Sequence, residues 1–185
     1  FELSAPSFFQ INPEMTDKLY SLGVKAAMLK DGETLLDAYC GAGTIGLTML
    51  KHANASHSRL IGIEAVPEAI ENARRNAKLN GIENAKFICG RCEQELSKLV
   101  AKGICPDAAV IDPPRKGCDE ALLSALNELG KHSLKRIVYI SCNPATLARD
   151  VKLLRGLGWR LEWVDGVDMF PWTAHVESTS FLVKE

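Results

Sequence analysis

Apolar and polar positions alternate along the chain with two different periods, which predicts strands and helices in turn. Apolar residues spaced three or four apart, as at Met15, Leu19, Leu22 and Ala26, predict a helix over 13–29. Short apolar runs that end at turn residues predict strands. These strands are expected at 34–39, 59–63, 85–89, 108–112, 136–140, 159–167 and 178–184. Further helices are expected at 44–51, 67–80, 93–101, 119–131 and 145–157.

This alternation predicts the fold class. Strand–helix repeats favour a mostly parallel sheet with right-handed crossovers and helices on both faces. The last two strands have no helix between them, so we expect them to end the sheet as an antiparallel pair. The prediction is one α/β domain with a Rossmann-like, seven-stranded core over 34–185, preceded by a leading segment and helix over 1–30.

Composition limits the classes of function. The chain has 185 residues, 46% of them hydrophobic and 24% charged, as expected of one globular domain. A net charge of −1 argues against a free-standing, strongly basic nucleic-acid binder. Six scattered cysteines favour a reducing, cytoplasmic compartment. The sequence has no apolar run of about 18 residues, so we predict no membrane span. Because the chain opens at Phe1, we expect it to be part of a longer protein.

Cys142 is the first candidate for chemistry. It follows a predicted strand and precedes Asn143, a plausible helix cap, and Pro144, which suits the first helical position. Ligands of open α/β sheets bind at such strand ends, and a helix amino end also favours a thiolate. The alternative is a small buried core residue. We interpret Cys142 as a nucleophile.

A glycine-rich loop follows the first predicted strand. Gly41, Gly43 and Gly46 have the G-x-G-x-x-G spacing that lets backbone approach a cofactor, and Glu64 ends the second strand, where its carboxylate can accept from ribose hydroxyls. A nicotinamide cofactor and S-adenosylmethionine both fit this pattern. A tight structural turn is the alternative.

Two later segments carry further polar candidates. Asp112 and Arg115 flank two prolines, which stiffen the exit from the fourth strand. Glu177 precedes the last strand, where burial would raise its pKa and suit it to proton transfer.

The C-x-x-C at 89–92 has no second cysteine pair, so we predict no metal site in this domain.

Together these motifs resemble the RNA uracil-5-methyltransferase family, the 23S rRNA and tRNA 5-methyluridine synthases. The resemblance covers essentially the whole chain. It rests on Ser-Phe-Phe-Gln-Ile-Asn at 7–12, Asp-Ala-Tyr-Cys-Gly-Ala-Gly-Thr-Ile-Gly at 37–46, Gly-Ile-Glu at 62–64, Asp-Pro-Pro-Arg-Lys-Gly at 112–117, Ser-Cys-Asn-Pro-Ala-Thr-Leu-Ala-Arg-Asp at 141–150, Asp-Met-Phe-Pro at 168–171 and His-Val-Glu at 175–177.

The resemblance implies a class I methyltransferase fold with S-adenosylmethionine as cofactor. It assigns Cys142 as nucleophile and Glu177 as general base. Cofactor contacts are implied for Gln10, Tyr39, Glu64 and Asp112, beside the loop glycines Gly41 and Gly43. One departure is Arg91, which stands where many members have an acid that reaches toward the adenine.

The implied reaction is methylation of uracil C5 in RNA through a covalent bond from cysteine to C6. Overall resemblance favours 23S rRNA over tRNA and a monomeric enzyme. RNA contacts are expected at Phe8, Arg115, Lys116, Arg149, Phe170 and His175. Full-length members carry an amino-terminal RNA-binding domain, which we expect this sequence to lack.

Two other classes remain open. A nicotinamide-dependent oxidoreductase would share the glycine loop but has no use for Asp-Pro-Pro-Arg or Cys142. A non-catalytic module that binds S-adenosylmethionine or RNA would not need Cys142 and Glu177.

Overall fold

A leading helix precedes the sheet in the computed structural model, which describes residues 1–2, 12–53, 57–173 and 175–185. This helix, α1, spans Pro13–Ala27. The Asn12 side chain caps it by accepting from the Met15 amide at 3.3 Å. It ends two residues earlier than predicted because Met28 takes a left-handed conformation with φ 42°.

The predicted alternation of strands and helices is confirmed, with boundaries that shift by one or two residues. The remaining elements are β1 (Thr34–Ala38), α2 (Thr44–His52), β2 (Arg59–Glu64), α3 (Pro67–Leu79), β3 (Ala85–Cys89), α4 (Cys92–Ala101), β4 (Ala108–Ile111), α5 (Glu120–His132), β5 (Arg136–Ser141), α6 (Pro144–Gly156), β6 (Trp159–Val167) and β7 (Glu177–Lys184). Asn143 and Pro144 begin α6 as predicted: the Asn143 side chain accepts from the Ala145 amide at 3.1 Å.

The seven strands form one sheet in the order β3-β2-β1-β4-β5-β7-β6. Strands β1 to β5 are parallel neighbours, and β7 runs antiparallel to both β5 and β6. The predicted fold class is therefore confirmed. The reversed strand β7 lies between β5 and β6, so β6 forms the outer edge.

Apolar clusters cover both faces of the sheet. Alternate residues of β1 point to opposite sides, with Leu35 in one cluster and Leu36 in the other. The first cluster includes Leu19, Leu47 and Ile70 from α1, α2 and α3; the second includes Leu96, Leu122 and Leu154 from α4, α5 and α6. Each such side chain contributes about 2 kcal/mol by leaving water.

The carboxyl ends of the parallel strands share one edge of the sheet. At the centre of that edge the connections from β1 and β4 diverge, because β1 leads outward to β2 and β4 leads outward to β5. A crevice forms at such a switch point. Strand β7 is reversed, so its first residue lies at the same edge. Among the described residues, no helix is long and apolar enough to cross a membrane.

Candidate functional site

A cavity of about 530 Å³ opens at this edge of the sheet. Its volume lies within the range of small-molecule sites. The structure brings together in its wall the predicted residues Tyr39, Gly41, Glu64, Asp112, Arg115, Cys142, Phe170, His175 and Glu177. The wall also includes Pro113 and Pro114, which the sequence analysis expected only to stiffen the exit from the fourth strand. Five further wall residues, for which it gave no role, are Tyr20, Cys40, Ala42, Thr44 and Ile45.

The glycine loop and the end of β2 form one half of the cavity. One carboxylate oxygen of Glu64 accepts from the Gly41 amide at 3.2 Å, and the other accepts from the amides of Ala65 at 2.7 Å and Val66 at 3.0 Å. Gly41 has φ 53°, and a methyl group added there would meet no protein atom within 4 Å. A ligand can therefore approach the backbone at Gly41 closely.

Gly43 is oriented differently from Gly41. It has φ 78°, and an added methyl group would lie 3.2 Å from side-chain carbons of Ala73, Leu47 and Phe87. The cavity wall does not include Gly43. Its place in the loop is to fit against α3 and β3, and its predicted cofactor contact stays a prediction.

Asp112 and Tyr39 become neighbours through the parallel pairing of β1 and β4. Ala38 pairs with Ile111, and the Asp112 amide donates to the main-chain oxygen of Ala38 at 3.4 Å. Burial, followed by the charge of Glu177, raises the pKa of the Asp112 carboxyl to about 7. This carboxyl is therefore partly protonated near neutral pH.

Tyr20 of α1 is a wall residue that sequence reasoning missed. Its hydroxyl lies 3.0 Å from the hydroxyl of Thr44, the first residue of α2. Burial raises the Tyr20 pKa to about 12. Its only sequence signal was its position beside Leu19 on the apolar face of α1, which does not reveal that the helix reaches the cavity.

Cys142 and Glu177 approach each other because β5 and β7 are antiparallel. Their last paired residues are Ser141 and Ser178, and the Ser178 hydroxyl donates to the main-chain oxygen of Ser141 at 3.1 Å. Cys142 and Glu177 are the next positions along this ladder, so they stand opposite each other. Glu177 is only 4% exposed. Burial raises its pKa as the sequence predicted, while the positive charge of Arg115 acts in the opposite direction.

The Cys142 thiol is half-buried, and its pKa is raised. Burial is the main cause, followed by the negative charges of Glu177 and Asp112, while Arg115 lowers the pKa. Burial and the two carboxylates thus oppose the effect that the sequence analysis expected from the amino end of α6, which favours the thiolate.

The remaining predicted residues are placed less directly. Lys116 is exposed, next to the cavity residue Arg115. The Nε and Nη2 atoms of Arg149 donate to protein oxygens, so its predicted phosphate contact would have to use the remaining Nη1 group. Arg91 pairs with Glu93 at 2.6 Å and is not in the cavity wall.

Two of the predicted contacts, Gln10 and Phe8, lie outside the described residues. Within the part of the chain that the structure describes, no three His, Cys, Asp or Glu side chains are grouped so that they could hold a metal ion.

The sheet order, the reversed β7 and the cavity between the glycine loop and Glu64 define a class I S-adenosylmethionine-dependent methyltransferase fold. The crystal structure of precorrin-6y C5,15-methyltransferase from Geobacter metallireducens has the same fold, with a TM-score of 0.73 at 13% identity over 100% of this chain and 94% of that one. The chain belongs to the tRNA (uracil-5-)-methyltransferase family, whose model matches residues 1–185.

Two bacterial relatives are close in sequence. An uncharacterized RNA methyltransferase of Clostridium acetobutylicum is 52% identical over 184 residues, which is 100% of this chain and 38% of the relative. Another, from Halalkalibacterium halodurans, is 48% identical over 182 residues, or 98% of this chain and 38% of the relative. The chain thus spans 38% of the length of these two relatives.

Proposed function

We propose that this chain is the catalytic domain of an enzyme that transfers a methyl group from S-adenosylmethionine to C5 of uracil in RNA. The observation that carries the proposal is the placement of Cys142 opposite Glu177 in the wall of a cavity that also contains Gly41 and Glu64. Family membership supports the substrate base, and the names of the relatives support RNA.

The donor atoms of the wall fit S-adenosylmethionine. Glu64 Oε1 already accepts from two amides, whereas Oε2 accepts from one and retains acceptor capacity for a ribose hydroxyl. The open space above Gly41 admits a ligand against the backbone. Tyr39 and Asp112 lie beside this space, and Gln10 is proposed as a further contact. The bound cofactor supplies an electrophilic methyl group next to the uracil ring.

Cys142 would make C5 nucleophilic. Its thiolate adds to C6 of uracil, which forms a carbon–sulfur bond and places the electron pair at C5. That pair would form a bond to the methyl group that S-adenosylmethionine, held beside Gly41 and Glu64, would supply, with S-adenosylhomocysteine as the leaving group. The Glu177 carboxylate then removes the C5 proton, the C5–C6 double bond reforms, and the Cys142 thiolate leaves. Atoms and charge balance over this cycle.

The electrostatics of the site suit these two roles. The raised pKa of Glu177 increases its affinity for the C5 proton while leaving it able to ionise. Arg115 lowers the pKa of Cys142, so its charge favours the attacking thiolate. A cysteine whose thiolate is not overstabilised also remains a strong nucleophile.

The RNA must present an unstacked uridine, because C6 is inaccessible inside a stacked helix. Phe170 and His175 line the cavity and would contact the base, together with Phe8. Arg115 and Lys116 are proposed to meet phosphates. We propose 23S rRNA as substrate and a monomeric enzyme; tRNA is the second candidate, which the family description favours.

Tritium release tests the proposal directly. RNA transcribed with uridine tritiated at C5 is incubated with the protein and S-adenosylmethionine, and radioactivity in water is counted. Methylation at C5 must expel the tritium, whereas methylation at a ring nitrogen, exocyclic amine or ribose oxygen retains it. Methyl incorporation without tritium release would contradict the proposed reaction.

The same assay separates the two RNA classes. Transcripts of 23S rRNA segments and of tRNA are compared at equal uridine concentration. The proposal predicts faster release from 23S rRNA; faster release from tRNA would leave the chemistry intact and reassign the substrate.

A further inference from the structure

The loop that joins β4 to α5 is bonded to the first half of α6. The main-chain oxygen of Arg115 accepts from the Asn143 side-chain amide at 3.1 Å and from the Thr146 hydroxyl at 3.2 Å. Asn143 immediately follows Cys142. The loop and the nucleophile are thus held to the same helix start.

An ion pair on α6, between the exposed Arg149 and the buried Asp150, holds the rest of this loop. Asp150 is fully buried, and one of its oxygens accepts from the Cys118 amide and from the Tyr139 hydroxyl, each at 2.7 Å. Its other oxygen accepts from Arg149 Nε at 2.8 Å. Arg149 Nη2 in turn donates to the main-chain oxygens of Lys116 at 3.0 Å and Cys118 at 3.2 Å.

Gly117 shows how closely the loop is pressed against this pair. It has φ 78°, and an added methyl group would lie 2.6 Å from both Arg149 Nη2 and Asp150 Oδ2. No side chain fits between the loop and α6 there without displacing the pair. The absence of a side chain at Gly117 therefore lets the loop lie directly against the Arg149–Asp150 pair.

We propose that Arg149 and Asp150 are positioning residues, which fix the loop 115–118 to α6 and so hold the Arg115 guanidinium beside Cys142 and Glu177. The inference rests on the proposed role of Cys142 as nucleophile. The charged groups that act on Cys142 are Glu177, Asp112 and Arg115, of which only Arg115 favours the thiolate. Arg149 thereby has a structural task in addition to any contact with RNA.

Arg149→Lys tests this proposal while keeping the charge. The lysine side chain is shorter, so its ammonium does not reach the position from which Nη2 contacts the two loop oxygens, and it has no counterpart of the Nε donor that binds Asp150. The readout is the pH profile of Cys142 alkylation by iodoacetamide, followed by mass spectrometry of the tryptic peptide 137–149, whose sole cysteine is Cys142. We expect the midpoint of the profile to move to higher pH and the rate at neutral pH to fall at least about threefold, the scale expected when one nearby charge moves away.

Arg155→Lys is the matched control. Arg155 is exposed in the last turn of the same helix, away from the loop, so its replacement should leave the profile unchanged. Arg115→Met should slow alkylation by itself, and adding Arg149→Lys to it should cause no further change. If Arg149→Lys destabilises the fold, Thr146→Val removes a different side-chain anchor of the loop and should shift the profile in the same direction by less.

Two results would overturn the proposal. One is that Arg149→Lys leaves the pH profile of Cys142 alkylation unchanged. If the same substitution also weakens RNA binding, Arg149 is a phosphate contact only. The other is that Arg149→Lys slows Cys142 alkylation equally in the wild-type protein and in the Arg115→Met variant. Alkylation needs neither RNA nor cofactor, so failure here is distinguishable from failure of the methylation reaction, which tritium release reports.

Discussion

The half of the cavity beside β1 and β2 is built from backbone groups, whereas the half around Cys142 is built from side chains on distant elements. In the first half, the Glu64 carboxylate is fixed by three main-chain amides, including that of Gly41. In the second, Asp112, Glu177 and Arg115 set the charge around a thiol. The first half is suited to hold a ligand, and the second to move protons and form bonds.

This comparison predicts that changes in the two halves will have different consequences. Substitutions around Cys142 should remove chemistry while the protein still folds and binds cofactor. Substitutions in the glycine loop should weaken cofactor binding or the fold while the chemistry of bound substrate persists.

The largest effect is expected for Cys142→Ala. Without the thiolate, uracil C5 cannot be activated by addition at C6, so tritium release should fall by at least about 10⁴-fold. Cofactor affinity, measured by calorimetry, should stay within a factor of about two. Cys105→Ala is the control, because Cys105 is exposed and outside the cavity wall, and it should retain wild-type activity.

Glu177→Gln should have the next largest effect, a loss of about 10³-fold in turnover. The amide cannot accept the C5 proton. Addition of Cys142 and transfer of the methyl group do not need that proton to be removed, so both still occur. We therefore expect a methylated protein–RNA adduct to accumulate, visible by intact mass. Turnover at the wild-type rate would remove Glu177 from the role of base.

The two loop glycines should separate fold from binding. Gly43→Ala should lower the free energy of unfolding by about 3 kcal/mol, because left-handed strain adds to overpacking against Ala73, Leu47 and Phe87.

Gly41→Ala should lower the free energy of unfolding by only about 1 kcal/mol, the cost of the left-handed strain alone. Because its methyl group occupies the open space at the backbone, cofactor affinity should fall about tenfold. Thermal melts and calorimetry measure both. Equal losses of stability in the two variants would contradict the view that Gly43 packs against the fold while Gly41 borders open space.

Asp112→Asn should stabilise the cofactor-free protein at high pH. Because the Asp112 pKa is raised from 3.8 to about 7, the folded protein binds this proton more tightly than the unfolded chain does, and stability falls as the pH rises across that interval. Above pH 7 we expect a gain of about 2 kcal/mol, less than the full shift implies because the side chain is partly exposed.

The gain from Asp112→Asn should vanish below a pH of about 4, where the aspartic acid is protonated and therefore as neutral as asparagine. Asp165→Asn, at an exposed position of β6, is the control and should show no comparable dependence on pH. A gain that is the same at every pH would contradict a carboxyl whose ionisation is opposed by its partial burial in the cavity wall.

How much could be predicted differs between the two halves for a physical reason. Gly41 and Glu64 follow successive strands, and the spacing of a glycine loop constrains where such residues meet, so the sequence placed both. Cys142 and Glu177 could be identified as residue types in suitable turns. Their facing arrangement depends on β7 entering the sheet between β5 and β6, which local pattern does not reveal.

Charge and contact were the least predictable features. The amino end of α6 suggested a lowered pKa for Cys142, but the two nearby carboxylates come from β7 and from the end of β4. Arg149 was interpreted as a phosphate contact, because a solvent-exposed arginine in a helix gives no signal of a buried neighbour such as Asp150. Such effects follow from tertiary packing.

A covalent trap tests the central claim, that Cys142 attacks uracil and Glu177 completes the reaction. The protein is incubated with S-adenosylmethionine and a short unstructured RNA containing 5-fluorouridine, whose fluorine cannot be removed as a proton. The account predicts an intact mass equal to protein plus RNA plus one methyl group, lost in Cys142→Ala. A full complement of unmodified protein, at saturating cofactor and RNA and with Cys142 still open to alkylation, would contradict it.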